Sequence, residues 1–153
     1  SLTRAQKADI SGSTVQFLPF VTKVFDICDA TVFVDIQGDN DFHYFRAPVD
    51  GIYQFDFVGG FLSANNFTLG IYTVGVGNTP SVPLFLSFRQ GSNVENSHTY
   101  TATIKLNAGD KIAPTVLRNS ASGSIAFNNS GISESVRFSG HIIEAINCFD
   151  KKQ

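Results

Sequence analysis

Tyr53, Phe55 and Phe57 alternate with Gln54 and Asp56 immediately after the segment Ala47-Pro48-Val49-Asp50-Gly51. Side chains two apart on a strand share a face. The alternation therefore predicts a strand with Tyr53, Phe55 and Phe57 in a core and with Ile52, Gln54 and Asp56 on a mixed opposite face. Pro48 fixes its own backbone and pushes Ala47 toward extended geometry, and Gly51 is expected to take the positive φ that a tight Pro-x-x-Gly turn uses.

Similar strand-like runs recur at Val15 to Val21, Lys23 to Ile27, Ala30 to Ile36, Ile52 to Phe61, Phe67 to Val74, Leu84 to Phe88, Thr99 to Leu106, Lys111 to Leu117, Ser124 to Phe127 and Ser135 to Ile146. Turn signals rich in Gly, Asn, Ser or Pro separate them at Gly38 to Asp41, Ala64 to Asn66, Gly75 to Pro83, Gln90 to Asn93, Asn107 to Asp110, Asn119 to Gly123 and Asn128 to Gly131. This spacing predicts an all-β sandwich. A helical turn or two is expected only within Leu2 to Ile10, where Thr3 could act as a cap. No repeat of solenoid length and no collagen-like Gly-x-y run is present.

Composition narrows the function classes. The 153 residues suit one domain, and a formal charge of −2 argues against a polyanionic partner. The 11 Lys and Arg are scattered, with only Lys151 and Lys152 adjacent, so no basic stripe can track a run of phosphates. Hydrophobic content of 42%, with 15 Phe and no Trp or Met, fits a soluble globular chain. No apolar run approaches the roughly twenty residues of a membrane-spanning helix. The chain begins at Ser1 without a Met, and an excised piece of a longer protein is expected.

Three motifs in order resemble the globular C1q domain. Phe45-x-Ala47-Pro48-x-x-Gly51-x-Tyr53-x-Phe55 is similar to its central signature. Thr103 to Ile112, with a turn at Gly109-Asp110, is similar to its apolar strand, Gly-Asp turn and following strand, and Phe138 to Ile143 to its closing strand. Phe25-Asp26 resembles the family's early Phe-Asp, so the likeness runs from about residue 15 to residue 146. The resemblance implies the ten-strand jelly roll shared with the tumour necrosis factor superfamily. It divides the chain into a lead-in or stalk end at 1–14, the jelly roll at 15–148 and a polar tail at 149–153. The region from Gly70 to Gly91 departs from vertebrate sequences and no collagen-like stalk is present. A bacterial, phage or viral member is expected, at an extracellular or virion surface.

The resemblance also implies a homotrimer, with Phe33, Tyr72 and Phe85 as candidate axis residues; most of the remaining Phe alternate with polar neighbours as core residues do. It implies that the first and last strands are antiparallel neighbours. With Phe20 set opposite His141, counting then puts Cys28 near Ser133 and Cys148 near Ser13, which argues for two buried thiols over a bridge.

Candidate chemistry is sparse. His43, His98 and His141 lack nearby His or Cys partners, so no catalytic role is read from them. Asp35, Asp39 and Asp41 supply hard oxygens suited to calcium, which some members of the resembled family bind; a solvated turn capped by its own Asx side chains explains the same residues. Gly75-Val76-Gly77 lacks the rest of a phosphate loop. The expected function is a non-enzymatic, trimeric recognition head that binds a receptor, glycan or protein ligand. Its surface is assigned to Gly75 to Pro83, Gln90 to Asn96 and Asn119 to Asn129, with Arg89, Asn93, Tyr100, Arg118 and Asn119 as the candidate ligand-binding residues. Three alternatives stand beside it: a structural trimerisation or capsid-decorating module, a monomeric carbohydrate-binding jelly roll, and a carbohydrate-active enzyme with Asp56 and Glu144 as paired carboxylates.

Overall fold

The alternation after Pro48 builds a strand with neighbours on both sides. The computed structural model describes residues 1–3, 8–10, 14–20, 22–23, 26, 30–34, 41–119, 125–127 and 136–145. Thirteen strand segments run through them: β1 (Leu2–Thr3), β2 (Ala8–Ile10), β3 (Gln16–Phe17), β4 (Thr22–Lys23), β5 (Thr31–Val34), β6 (Phe42–Arg46), β7 (Gly51–Ser63), β8 (Phe67–Val74), β9 (Pro80–Arg89), β10 (Ser92–Leu106), β11 (Lys111–Arg118), β12 (Ile125–Phe127) and β13 (Arg137–Ala145). Every pairing among them is antiparallel.

Several segments share one position in a sheet. β13 and β12 lie end to end along one side of β7, whose other side carries β10. β1 and β2 follow outside them in the same way, and β4 closes that edge. In the second sheet β6 and β3 share one side of β11, with β8 and then β9 on the other and β5 outside β6. The segments thus occupy the ten strand positions of a two-sheet sandwich, as the sequence predicts.

Between the sheets Tyr53, Phe55 and Phe57 are each 1% exposed, while Ile52, Gln54 and Asp56 are half-buried on the outer face. Phe57 meets Phe20 edge-on at 6.1 Å between centroids and stacks on Tyr100 at 4.8 Å. Phe55 stacks on Phe138 at 5.5 Å. Burying a side chain of this size contributes about 1.5–3 kcal/mol, so these rings dominate the hydrophobic term.

The motifs read from sequence meet in space. Gly109, at φ 91°, donates its N–H to the Ala47 carbonyl at 2.8 Å, and the Ala47 N–H donates to the Asp110 carbonyl at 2.8 Å. The Asp50 carboxylate accepts the Ala108 N–H at 2.7 Å. The Pro48 turn and the Gly-Asp turn are one cross-linked corner. The Tyr53 hydroxyl closes it by donating to the Val49 carbonyl at 2.6 Å. Tyr53→Phe leaves that buried carbonyl without its donor and is expected to cost about 1–3 kcal/mol in a urea melt; a loss below a few tenths would show that the corner holds without the hydroxyl.

Four expectations are corrected. Leu2 to Ile10 carries no helix among its described residues: Leu2–Thr3 and Ala8–Ile10 are strands, and Leu2 and Ile10 lie in the core. Their partners are far along the chain, so local periodicity does not reveal them. The last strand has a neighbour from the start of the chain, but it is Leu2–Thr3, with Leu2 opposite Phe138, and not the run from Val15, whose β3 pairs with β11 in the other sheet; Phe20 and His141 are not opposite each other. The counting that argued against a disulfide loses its premise, and Cys28 and Cys148 lie outside the described residues. Gly51 opens β7 without a positive φ. Finally, β6 is a strand missing from the predicted runs, because apolar residues point both ways from it: Phe45 packs on the main core, and Phe42 and Tyr44 form a second cluster with Ala113.

Candidate functional site

One end of the sandwich gathers most of the candidate ligand-binding residues. Arg118, the last residue of β11, is opposite Phe67, the first of β8, which is in turn opposite Arg89, the last of β9. The two arginines therefore flank Phe67 in one row, two strand spacings or about 10 Å apart. Asn119 follows Arg118 directly, and Asn93 is exposed at the start of β10, beside Ser92, which is paired with Ser63.

The turns at this end are tied together. The Ser63 hydroxyl donates to the Asn65 carbonyl at 2.7 Å, the Gly91 N–H to the Asn66 side-chain oxygen at 3.0 Å, and the Asn119 N–H to the Asn66 carbonyl at 3.1 Å. The Thr68 hydroxyl donates to Asn119 Oδ1 at 3.1 Å. A Cβ on Gly91 would collide with the Asn65 backbone, so glycine lets the two turns approach. Asn66 is the organising residue here, and it stands in a turn the sequence signals without marking it as a site. The result is a stiff platform of Asn, Gly and Arg in place of three independent loops.

Arg89 spans the edge of the sandwich. Its Nη2 donates to the Thr99 carbonyl at 2.7 Å, and its Nε is buried with no hydrogen-bond partner among the described residues. Its charge bears on His98, whose ring meets Phe67 at 5.1 Å and Phe61 at 5.8 Å, both edge-on. Burial first, and the Arg89 charge second, hold the His98 pKa below its ordinary 6.5. Above that value the imidazole is neutral in the folded and unfolded chains alike, and the fold keeps its full stability. As pH falls, the unfolded chain takes the proton first, and stability drops until pH passes the lowered folded value. The urea midpoint is expected to fall from about pH 7.5 to about pH 5, with a shallower fall in His98→Phe. Equal slopes in the two proteins would remove His98 as the cause.

Two parts of the assigned surface do not join this end. Tyr100 is 8% exposed, stacked on Phe57 and tilted against Phe85 with its hydroxyl 3.4 Å from the Gly70 carbonyl, and burial raises its pKa against the opposing charge of Arg89. It is a core residue, corrected from a surface one. Of Gly75 to Pro83, only residues 75–79 form the turn, at the far end of β8 about 23 Å along the strand from Phe67, and Pro80 to Pro83 already belong to β9. Residues 120–124 and 128–129 lie outside the described residues.

A second surface runs along β9, which among the described residues pairs only with β8 and forms one edge of its sheet. Val82, Leu84, Leu86 and Phe88 all point outward, and Phe88 is 78% exposed. The candidate axis residues distribute differently. Phe85 is turned inward against Tyr100 at 4.8 Å, one position out of phase with the exposed stripe. Tyr72 is half-buried on the neighbouring β8, and Phe33 is exposed on β5, the opposite edge of the sheet.

The remaining chemistry stays dispersed. His43 is buried with Nδ1 2.9 Å from the Phe20 carbonyl, and His141 is exposed on β13 opposite Gln54. Asp56 pairs across with Ser139 and Glu144 with Ile52, which sets the backbones of the two acidic residues four positions, about 13 Å, apart along the strand. That exceeds the 5–9.5 Å or so that glycoside hydrolysis uses, so the paired-carboxylate expectation fails. Asp41 is half-buried ahead of β6; Asp35 and Asp39 lie outside the described residues. Among the described residues no group of three or more His, Cys, Asp or Glu could hold a metal, and no helix is long and apolar enough to cross a membrane.

The chain matches no protein-family model and no curated protein sequence. Its fold is similar to a solved structure described as Eiger TNF from S. frugiperda, with TM-score 0.52 and 12% identity over 96% of each chain. The globular domain of zebrafish complement 1qA also matches, with TM-score 0.48 and 18% identity over 95% of this chain and 98% of that one. The fold is an all-β, two-sheet sandwich like that of the Eiger TNF structure.

Proposed function

We propose that this chain is a non-enzymatic recognition head that assembles as a homotrimer through β9 and binds a receptor, glycan or protein ligand at its Arg89, Asn93, Arg118 and Asn119 end. The observation that carries the reading is the outward stripe Val82, Leu84, Leu86 and Phe88 on an edge strand. Exposed strand edges template pairing with other chains, and proteins blunt them with charge, proline or a covering element. Pro80 to Phe88 holds no charged residue, and Pro80 and Pro83 blunt only the first half. Leu84 to Phe88 is left as an apolar edge suited to being covered. C1q/TNF-like domains are typically trimeric binding modules, and a closed ring covers one such edge per copy without growing into a fibre.

The platform at the other surface supports recognition. Its backbone is tied by hydrogen bonds, and Arg89 keeps a buried Nε donor with no partner of its own among the described residues. Small polar residues held on a rigid scaffold suit a ligand read by hydrogen bonds. The setting proposed is the tip of a longer fibrous or surface protein, outside the cell or on a virion.

Light scattering coupled to size exclusion, with and without a chelator, tests the assembly. A trimer that ignores chelation supports a head without a structural metal, and one that dissociates returns Asp35, Asp39 and Asp41 to consideration. A stable monomer contradicts the reading. Receptor or glycan capture that survives joint substitution of Arg89, Asn93, Arg118 and Asn119 by Ala contradicts the platform, and assembly without any capture favours a structural clamp.

A further inference from the structure

We propose that the gap between the sheets on the side away from β9 is a binding site for a small uncharged aromatic molecule. A cavity of about 230 Å³ opens there between β13 and β1 of one sheet and β5 and β6 of the other. Phe55 and Phe138 form one wall, with their rings parallel within 5° at 5.5 Å. Phe45 stands edge-on to both Phe55 and Tyr53 at 5.3 Å. Ile142 lines the same space and packs on the core.

Ser1, Asp26, Thr31, Tyr53, Ser139 and His141 supply the polar groups around the cavity, and several are already engaged within the fold. The Tyr53 hydroxyl is turned away to the Val49 carbonyl. Asp26 accepts the N–H groups of Ala30 at 2.8 Å and Thr31 at 2.7 Å and the Thr31 hydroxyl at 2.8 Å. A buried water needs two to four polar partners, and apolar cavities of roughly 150 Å³ stay dry and take up benzene. This one is larger and walled by aromatic faces and edges, which pair with a further ring in offset or edge-to-face contact. An ionised ligand would have to compete with the interaction already made between Asp26 and the terminal ammonium of Ser1, both of which line the cavity. The occupant is therefore an uncharged planar ring between benzene and indole in size. The site and the β9 stripe lie on opposite sides of the sandwich, so neither depends on the other.

The chain contains no Trp, so indole can be followed by its own fluorescence against a background of Tyr and Phe. Titrating indole onto the intact chain is expected to give a saturable, one-to-one blue shift and a Tm that rises with the logarithm of indole concentration. Indole-3-acetate, which is charged, and pyrene, which is too large, are expected to do neither. Ile142→Phe fills the cavity and is expected to abolish the indole shift while keeping the native Tm or raising it. The proposal is overturned by an intact chain that leaves indole unshifted, by equal binding of indole-3-acetate, or by a folded Ile142→Phe protein that still binds. If Ile142→Phe does not fold, the ligand series on the intact chain decides alone.

Discussion

The double variant Leu86→Glu/Phe88→Glu is expected to run as a monomer, with one third of the native assembled mass and a Tm close to that of the isolated native fold. Both side chains point outward from β9, and Phe88 is 78% exposed, so changing them removes little packing within one chain. Surface substitutions of this kind usually stay within about 0.5 kcal/mol. In the proposed trimer the same positions would be covered, and each carboxylate there would be stripped of water without a partner, at a cost of several kcal/mol per charge. The substitution repeats at every copy of the interface. Leu86→Lys/Phe88→Lys must behave alike if desolvation is the cause. A native mass in both variants, with the fold intact, would move the assembly surface away from β9.

Phe57→Ala is expected to be the most damaging single substitution in the core. The ring touches three others: Phe20 edge-on, and Tyr100 and Phe61 in stacks at 4.8 and 6.1 Å. Two of these belong to its own sheet and Phe20 lies outside the strands, so the cavity left behind has walls on several elements and cannot collapse easily. Such truncations cost about 3–5 kcal/mol. For a domain of this size that is a fall of roughly 6–20 °C in Tm. Phe57→Leu should lie between the two, and a fall of only a degree or two for Phe57→Ala would mean that the neighbouring rings repack.

Strands that are polar on one face were legible from the sequence. β8 spans Phe67–Val74 as read, and β11 differs from its expectation by one residue. Strands that are apolar on both faces were not. In β6, Phe42 and Tyr44 serve one cluster and Phe45 another, which erases the alternation. In β9, Phe85 and Phe88 look equivalent, and only the register, with its irregularity between Ile71 and Tyr72, decides which points outward. Tyr100 was decidable: it is in phase with Ala102, Ile104 and Leu106, and its Thr neighbours mark the outer face. The Arg89 and Arg118 row was legible only as two residues bordering loops. Their common neighbour Phe67 emerges from strand pairing, which no local pattern encodes.

The position of β13 bears on how the molecule is made. β13 lies between β7 and β1, so the first sheet is held together in its middle by the strand that comes last among the described residues. A nascent polypeptide leaving the ribosome carries Leu2–Thr3 and the whole of β7 long before Arg137–Ala145 arrives to join them. Until then Phe55 and Phe57 lack Phe138 and its strand as neighbours on that side. Pairings this distant in sequence close slowly, on the order of milliseconds to seconds. Folding is therefore expected to wait for release of the last strand, and a ribosome stalled before Arg137 should display a chain that proteases cut as readily as an unfolded one.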